Sequence, residues 1–203
     1  MITYRTAYKT DLKAIAKVHS ACFKEYFLTS LGNDLLSKYY GEYIDENAPF
    51  ILAVNEHGQI AGFCMGYLTG SKARDKFESK YKWQLTSKLL GLCLMCNKNA
   101  WVRVSSKIKD VLKSFKSKNQ ANINPEKPKG SILSICVMEE FRGTNVAGTL
   151  VDKFESELKD RNIETYTLSV YTTNARARAF YEKKGFSVLN ENKDSTNYIK
   201  TIS

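Results

Sequence analysis

The chain contains 203 residues, 43% of them hydrophobic, and carries a formal net charge of +10 at pH 7. This length and apolar content predict a single globular domain over residues 1–203 and exclude global disorder. The sequence has no run of about eighteen apolar residues and no apolar leader, so we expect neither a membrane-spanning helix nor a secretion signal.

The N-terminal third shows strand-like and helix-like apolar patterns in turn. Side chains alternate over residues 2–8, as in a half-buried strand. Asp11 is a candidate N-cap for the helical pattern that follows it, and a second helical pattern comes next. Strands are predicted at residues 50–55 and 60–67, and the Glu-His-Gly sequence between them is typical of a hairpin turn.

Residues 72–129 carry the whole charge imbalance, with 15 Lys or Arg against 4 Asp or Glu, a net of +11. Helices are predicted at about 76–97 and 100–117. This basic segment has three interpretations: a helical hairpin packed on the core, a contact of residues 76–118 with a charged substrate or an anionic membrane surface, or a homodimer contact. It contains no recognised nucleic-acid-binding module, so we expect no nucleic-acid partner.

Strands and helices alternate in the C-terminal third, which predicts a layered α/β fold. The predicted elements are strand 131–137, helix 146–161, strand 164–170, helix 174–184, strand 186–190 and a last strand at 197–202.

The cysteines number five, and most lie in apolar runs. The odd count and the absence of a secretion signal predict reduced thiols in a cytoplasmic protein. Cys93 and Cys96 have the spacing of a metal-binding pair, but no second Cys or His pair completes a tetrahedral site, so we expect no metal. The five are Cys22, Cys64, Cys93, Cys96 and Cys136.

The most informative segment is residues 135–148, Ile-Cys-Val-Met-Glu-Glu-Phe-Arg-Gly-Thr-Asn-Val-Ala-Gly. A short apolar strand enters an Arg-Gly turn, and the turn enters an amphipathic helix. The first amides of a helix lack intrahelical acceptors, and the helix dipole favours negative charge there. The segment therefore predicts a site for a pyrophosphate.

A second segment, residues 174–186, reads Asn-Ala-Arg-Ala-Arg-Ala-Phe-Tyr-Glu-Lys-Lys-Gly-Phe. The two segments in this order resemble the GCN5-related N-acetyltransferase (GNAT) family: the first is similar to its acetyl-CoA signature Arg/Gln-x-x-Gly-x-Gly/Ala, and the second to the Asn…Phe-Tyr…Gly-Phe sequence that follows. The resemblance implies an α/β fold with a mixed, mostly antiparallel central sheet flanked by helices. Residues 71–129 would be a basic helical insertion between the third and fourth strands.

The resemblance also implies acetyl-CoA as cosubstrate and assigns the residues that hold it. The backbone of the predicted strand would bind the pantetheine arm, the following turn and helix start would bind the pyrophosphate, and Asn174 would cap the next helix and touch the pantetheine. Asn145 stands where the family usually has Gly, but Asn tolerates a positive φ better than other non-Gly residues. The implied residues are Ile135, Cys136, Val137, Arg142, Gly143, Thr144, Asn145, Val146, Ala147, Gly148 and Asn174.

Tyr181 matches the family tyrosine that protonates the departing CoA thiolate, and direct attack of an amine on the thioester is implied. The general base is less defined. Ser169 occupies the strand position where some relatives have Glu, so that carboxylate is missing. The alternatives are Glu25, Glu139 or Glu140, or a chain of water molecules, and we assign Glu25 to the catalytic site. His19 is interpreted as a helix-packing residue.

The acceptor is the least specified part of the prediction. The sequence Phe-Leu-Thr-Ser-Leu-Gly at residues 27–32 and the basic insertion are similar to acetyltransferases of bacterial surface-polysaccharide synthesis. That resemblance implies a small-molecule amine, an amino sugar or its nucleotide-linked or lipid-linked form. The alternatives are a protein or peptide amine, and a non-catalytic acyl-CoA-binding module.

Overall fold

The computed structural model describes residues 1–95 and 129–202. These residues build a seven-stranded sheet with the order β1-β2-β3-β4-β5-β7-β6, in which every neighbouring pair is antiparallel except β4 and β5. The strands are β1 (Ile2–Thr6), β2 (Phe50–Asn55), β3 (Ile60–Leu68), β4 (Gly130–Val137), β5 (Thr165–Tyr171), β6 (Ser187–Glu191) and β7 (Ser195–Thr201).

Helices cover both faces of the sheet, and each face has its own apolar cluster. The first cluster includes Leu36 and Tyr40 of the third helix, and the second includes Phe154 of the sixth. The predicted mixed, mostly antiparallel sheet flanked by helices is confirmed. The helices are α1 (Leu12–Cys22), α2 (Phe27–Ser30), α3 (Asn33–Asp45), α4 (Ala73–Lys80), α5 (Lys82–Met95), α6 (Val146–Asp160) and α7 (Ala175–Lys183).

Close approach of α6 to the sheet depends on Gly66 in β3. Phe154 of α6 is fully buried, and a Cβ added at Gly66 would lie 2.5 Å from its ring and 2.3 Å from the carbonyl oxygen of Ser131. Burying one such aromatic side chain stabilises the fold by about 1.5–3 kcal/mol. The register of β3 against β4 also shifts between Met65 and Gly66, so the position of β4 depends on this same point.

Two details near the N-terminus differ from the sequence prediction. The first strand ends at Thr6, two residues early, because the chain turns at Tyr8, whose carbonyl accepts from the Asp11 amide at 2.9 Å in a short 3-10 turn. Asp11 precedes α1 but makes no side-chain cap to it. Its carboxylate instead accepts hydrogen bonds from the guanidinium of Arg5 at 2.7 and 2.8 Å and from the amide of Tyr8.

The described part of the basic insertion contains two helices where one was predicted over 76–97. α4 packs on α3: Phe77 is buried with its ring 5.2 Å from that of Tyr39, and Lys80 pairs with Glu42 at 2.9 Å. α5 leaves Trp83 84% exposed. The helix predicted at 100–117 lies outside the described residues, and no helix in the described ranges is both long and apolar enough to cross a membrane.

Candidate active site

The site begins where two parallel strands separate. β4 pairs with β3 along its length, but it pairs with β5 only at Gly130–Tyr166 and Ser131–Thr167. Beyond Ser131 the edge of β4 that faces β5 has no strand partner in the described chain. Two cavities open at this gap.

The first cavity has a volume of about 530 Å³ and contains every cofactor-binding residue predicted from the sequence except Thr144. The hydroxyl of Thr144 donates instead to the carbonyl of Phe141 within the turn, at 2.6 Å. The predicted residues that line this cavity are Ile135, Cys136, Val137, Arg142, Gly143, Asn145, Val146, Ala147, Gly148, Asn174 and Tyr181.

The turn before α6 requires two residues in the left-handed region. Gly143 has a φ of 86° and Asn145 a φ of 62°, so Asn145 adopts the conformation that its family counterpart, Gly, would supply. The first intrahelical bond runs from the Thr149 amide to the Asn145 carbonyl, at 3.0 Å. The amides of Val146 and Ala147 precede that bond, which leaves them available to an anion.

The N-termini of the two motif helices are organised by asparagine in different ways. Asn174 caps α7 as predicted, since its side-chain oxygen accepts from the Ala177 amide at 3.1 Å. Asn145 makes no such cap, and its side chain lies over the helix start, where a Cβ at Gly148 would be 2.4 Å from its Oδ1. Gly148 is therefore needed for Asn145 to adopt this position.

Tyr181 is one of five described residues that line both cavities. Its ring is 5% exposed and packs against Phe180 at 5.2 Å and Phe186 at 5.4 Å. No residue in the described part of the chain hydrogen-bonds to its hydroxyl. Burial raises the pKa of Tyr181 above its ordinary value, so the phenol stays protonated near neutral pH and can act as a donor.

The second cavity, of about 550 Å³, has mainly aromatic and aliphatic walls. Tyr26, after α1, and Tyr171, at the end of β5, bring their rings to 5.8 Å, and Phe23 lies 5.0 Å from Tyr26. Tyr26 is 42% and Tyr171 56% exposed, which places this ring pair at the solvent side of the cavity. Among the described residues that line it, none is Asp, Glu, Lys or Arg.

None of the candidate carboxylates lines either cavity, and Ser169, at the strand position where some relatives have Glu, lines the second. Glu25 is exposed and lines neither cavity, so its catalytic role stays a prediction that gains no geometric support. Glu139 and Glu140 are exposed in a short 3-10 turn after β4.

His19 packs in the core at the edge of the second cavity. It is 3% exposed, its Nδ1 lies 2.6 Å from the Tyr40 hydroxyl, and its ring contacts Phe23 at 4.7 Å. Burial lowers the pKa of His19 to about 4, so the ring is neutral at pH 7. Its Nε2 is buried with no partner in the described chain and is inaccessible to water, which supports a packing role and not that of a base.

Two lining residues lie outside both motif segments. Cys22 and Phe23 reach the first cavity from the end of α1, and no sequence motif indicates them. Phe141 and Ala177, which complete its walls, lie within residues 135–148 and 174–186.

Comparison with known proteins shows the family and the fold of the chain. The sequence model of the Acetyltransferase (GNAT) family matches residues 12–186. None of the curated protein sequences is significantly similar to the chain.

Solved structures of low identity share the fold. The ribosomal-protein-S18-alanine N-acetyltransferase of Escherichia coli is 14% identical, with a TM-score of 0.61 over 100% of this chain and 95% of that one. The PaiA N-acetyltransferase of Thermoplasma acidophilum, solved with coenzyme A, is 14% identical, with a TM-score of 0.61 over 100% and 99%. Ard1 of Thermoplasma volcanium is 17% identical, with a TM-score of 0.60 over 100% and 98%. The chain therefore belongs to the GNAT acetyltransferase family, and acetyl-CoA is its cosubstrate.

Proposed function

We propose that this protein transfers the acetyl group of acetyl-CoA to a primary amine by direct attack, with the cofactor in the first cavity and the amine in the second. The observation that carries the proposal is that Tyr181 lines both cavities and is the one hydroxyl-bearing residue among the five described residues that do so. A hydroxyl at that boundary lies where a thioester entering from one side would meet an amine entering from the other.

The first cavity suits the two polar parts of the cofactor. The free edge of β4 at Ile135–Val137 offers backbone groups to the pantetheine amides, and one of its N–H groups would hold the oxyanion of the tetrahedral intermediate. The amides at the start of α6 and the exposed Arg142 suit the pyrophosphate. Arg142 donates from Nε to the Val137 carbonyl at 3.4 Å, which directs its guanidinium toward the end of β4.

Proton movements follow from the same geometry. The amine attacks the thioester carbon, the C–S bond then breaks, and Tyr181 donates its proton to the leaving sulfur. The amine must also lose a proton. Because no carboxylate is present among the described lining residues of either cavity, water in the second cavity is the acceptor that best fits the site.

We assign an amino sugar to the second cavity. Its volume is in the range that holds a small ligand, and the rings of Phe23, Tyr26 and Tyr171 offer flat apolar faces to a pyranose. The described lining has no Lys or Arg for a diphosphate, so a nucleotide carrier would extend outside the cavity. Contact of residues 76–118 with a membrane or a second copy stays a prediction; the exposed Trp83 of α5 is its support.

A peptide amine is the second candidate acceptor. Its support is that several proteins sharing the fold are named for protein acceptors, including the S18-alanine enzyme and a NatC complex bound to Gag peptide and CoA. These proteins are 14% and 13% identical to this chain, so they support the chemistry more than the choice of acceptor.

The test is release of CoA from acetyl-CoA with free amino sugars, amino-sugar nucleotides and N-terminal peptides, each compared with a reaction that lacks an amine. Release that requires an amino sugar supports the assignment. Release only with peptides replaces the acceptor and keeps the enzyme. Tight acetyl-CoA binding with no release for any amine would favour the non-catalytic acyl-CoA-binding module.

A further inference from the structure

Two thiols line the wall of the first cavity. Cys22 ends α1, Cys136 lies near the end of β4, and both line the cavity and belong to the same apolar cluster. The Cys22 sulfur also contacts the Met138 sulfur, two residues beyond Cys136, at 3.9 Å. Neither thiol has a part in the transfer reaction described above.

Their surroundings make the two thiols unequal. Cys22 is half-buried, and the neighbouring thiol of Cys136, as a hydrogen-bond donor, together with the positive charge of Arg142, lowers the pKa of Cys22. Burial raises the pKa of Cys136, so it remains a thiol. An accessible sulfur with thiolate character is the more readily oxidised, and a neighbouring thiol can then resolve the product.

Cys64 provides a contrast on the same sheet. It lies in β3 and is fully buried in the cluster on the opposite face. Burial raises the pKa of Cys64, and the residue lines neither cavity. It therefore has neither the access nor the partner that Cys22 has.

We propose that Cys22 and Cys136 form an oxidisable dithiol that controls entry of acetyl-CoA, with a hydroperoxide as oxidant. The Cys22 thiolate attacks the peroxide, the O–O bond breaks, and the sulfur becomes a sulfenic acid as the displaced oxygen leaves as water or an alcohol. The Cys136 sulfur then attacks the Cys22 sulfur, an S–S bond forms, and the S–O bond breaks to release water with the Cys136 proton. A dithiol reductant reverses the change.

The disulfide would act on the cofactor because of where Cys136 lies. Its neighbours Ile135 and Val137 are on the strand edge proposed to bind the pantetheine, so this step rests on the proposed function. Tying that strand to the end of α1 narrows the cavity between them. We expect acetyl-CoA affinity to fall by about tenfold or more, where tenfold corresponds to about 1.4 kcal/mol.

The experiment treats the full chain with hydrogen peroxide, removes the oxidant, and maps disulfides by mass spectrometry of non-reduced peptides. Acetyl-CoA affinity is measured by calorimetry in reduced, oxidised and re-reduced samples. The expected result is a Cys22–Cys136 peptide pair, weaker binding in the oxidised sample, and recovery after reduction. In Cys22→Ser, the affinity for acetyl-CoA should be the same before and after oxidation. The matched control Cys64→Ser should lose affinity on oxidation as the wild type does.

Other results overturn the proposal. They are the absence of the Cys22–Cys136 pair, a pair formed only by other cysteines, a mixed disulfide of Cys22 with CoA in its place, or a mapped pair that leaves affinity unchanged. If the reduced protein binds no acetyl-CoA, the proposed function fails, and peptide mapping still decides separately whether the two thiols form a bond.

Discussion

The two cavities on either side of Tyr181 are built from different parts of the chain. The first uses backbone: a free strand edge, a turn with two left-handed residues, and the start of α6. The second uses side chains, chiefly aromatic rings contributed by α1, α3, β5 and the connection after α1. Backbone groups suit a ligand that is the same in every reaction, such as the pyrophosphate of CoA. Aromatic side chains can be replaced by substitution, so they suit a site whose acceptor differs between proteins. Under the proposed function, the first cavity would set the chemistry and the second would set the acceptor specificity.

The largest expected effect comes from Tyr181, the one hydroxyl-bearing residue among the five described residues that line both cavities. Tyr181→Phe keeps the buried ring and removes the hydroxyl, so turnover should fall by about 10²–10⁴-fold, the usual contribution of a general acid. The dissociation constant for acetyl-CoA should change by less than about twofold, because the proposed cofactor site consists of backbone groups and Arg142. Steady-state kinetics and calorimetry on the same samples measure both. A matched loss in turnover and in affinity would contradict the general-acid role.

His19, in the wall of the second cavity, should make the free energy of unfolding depend on pH. The pKa of His19 is about 4 in the folded protein, below the unfolded value of about 6.5, so its contribution to stability is complete above about pH 6.5 and is lost as pH falls toward 4. The loss should reach at most about 3 kcal/mol, measured as the free energy of unfolding in urea at pH 7 and pH 4.5.

The matched pair of variants for this effect is His19→Gln and His57→Gln. The first should flatten the pH dependence. The second should leave it unchanged, since the side chain of His57 is 75% exposed. Equal pH dependence in the wild type and His19→Gln would refute the assignment of the acid sensitivity to His19.

The packing of α6 against the sheet, next to both cavities, can be tested at Gly66. A Cβ there would collide with the Phe154 ring and with backbone of β4, so Gly66→Ala should destabilise the fold by about 1–3 kcal/mol. Chemical denaturation measures the change. Gly91→Ala is the control, because open space surrounds Gly91 in α5 and Ala is the better helix former by up to about 1 kcal/mol. A Gly66→Ala protein as stable as the wild type would show that α6 can move away without cost.

The smallest expected effect separates acceptor binding from cofactor binding. Tyr26→Ala and Tyr171→Ala should each raise the acceptor KM by about 2–10-fold, in line with about 0.5–1.5 kcal/mol for an aromatic contact. Acetyl-CoA affinity should not change. Tyr8→Ala is the control, since Tyr8 is exposed and lines neither cavity. A rise in the acetyl-CoA dissociation constant without a change in acceptor KM would reverse the roles given to the two cavities.

The same division explains what the sequence could predict. The first cavity depends on neighbours in the chain, so residues 135–148 and 174–186 already placed Gly143, Asn145 and the Asn174 cap. The second cavity depends on rings that come together only after folding, such as those of Tyr26 and Tyr171. The distance between these residues in the sequence does not indicate that their rings are in contact.

Tertiary contacts also override local signals elsewhere. Asp11 was predicted to cap α1, but the guanidinium of Arg5 offers its carboxylate two stronger, charge-assisted bonds. The first of the two helices predicted in the insertion was placed over 76–97, but the helix ends before Tyr81, whose ring lies 5.3 Å from the ammonium of Lys38 in α3. In both cases the interaction that differs from the prediction involves a partner that a local apolar pattern does not indicate.

The most direct test of the account is acetyl-CoA binding by calorimetry to the wild type, Gly143→Glu and Gly58→Glu. Gly143 and Gly58 both have positive φ and open space around them, so Glu imposes similar backbone strain at each, but only Gly143 lines the first cavity. We predict binding by the wild type and Gly58→Glu, and none by Gly143→Glu, because the added carboxylate would stand against the pyrophosphate. Unchanged binding by Gly143→Glu would contradict the placement of acetyl-CoA in this cavity.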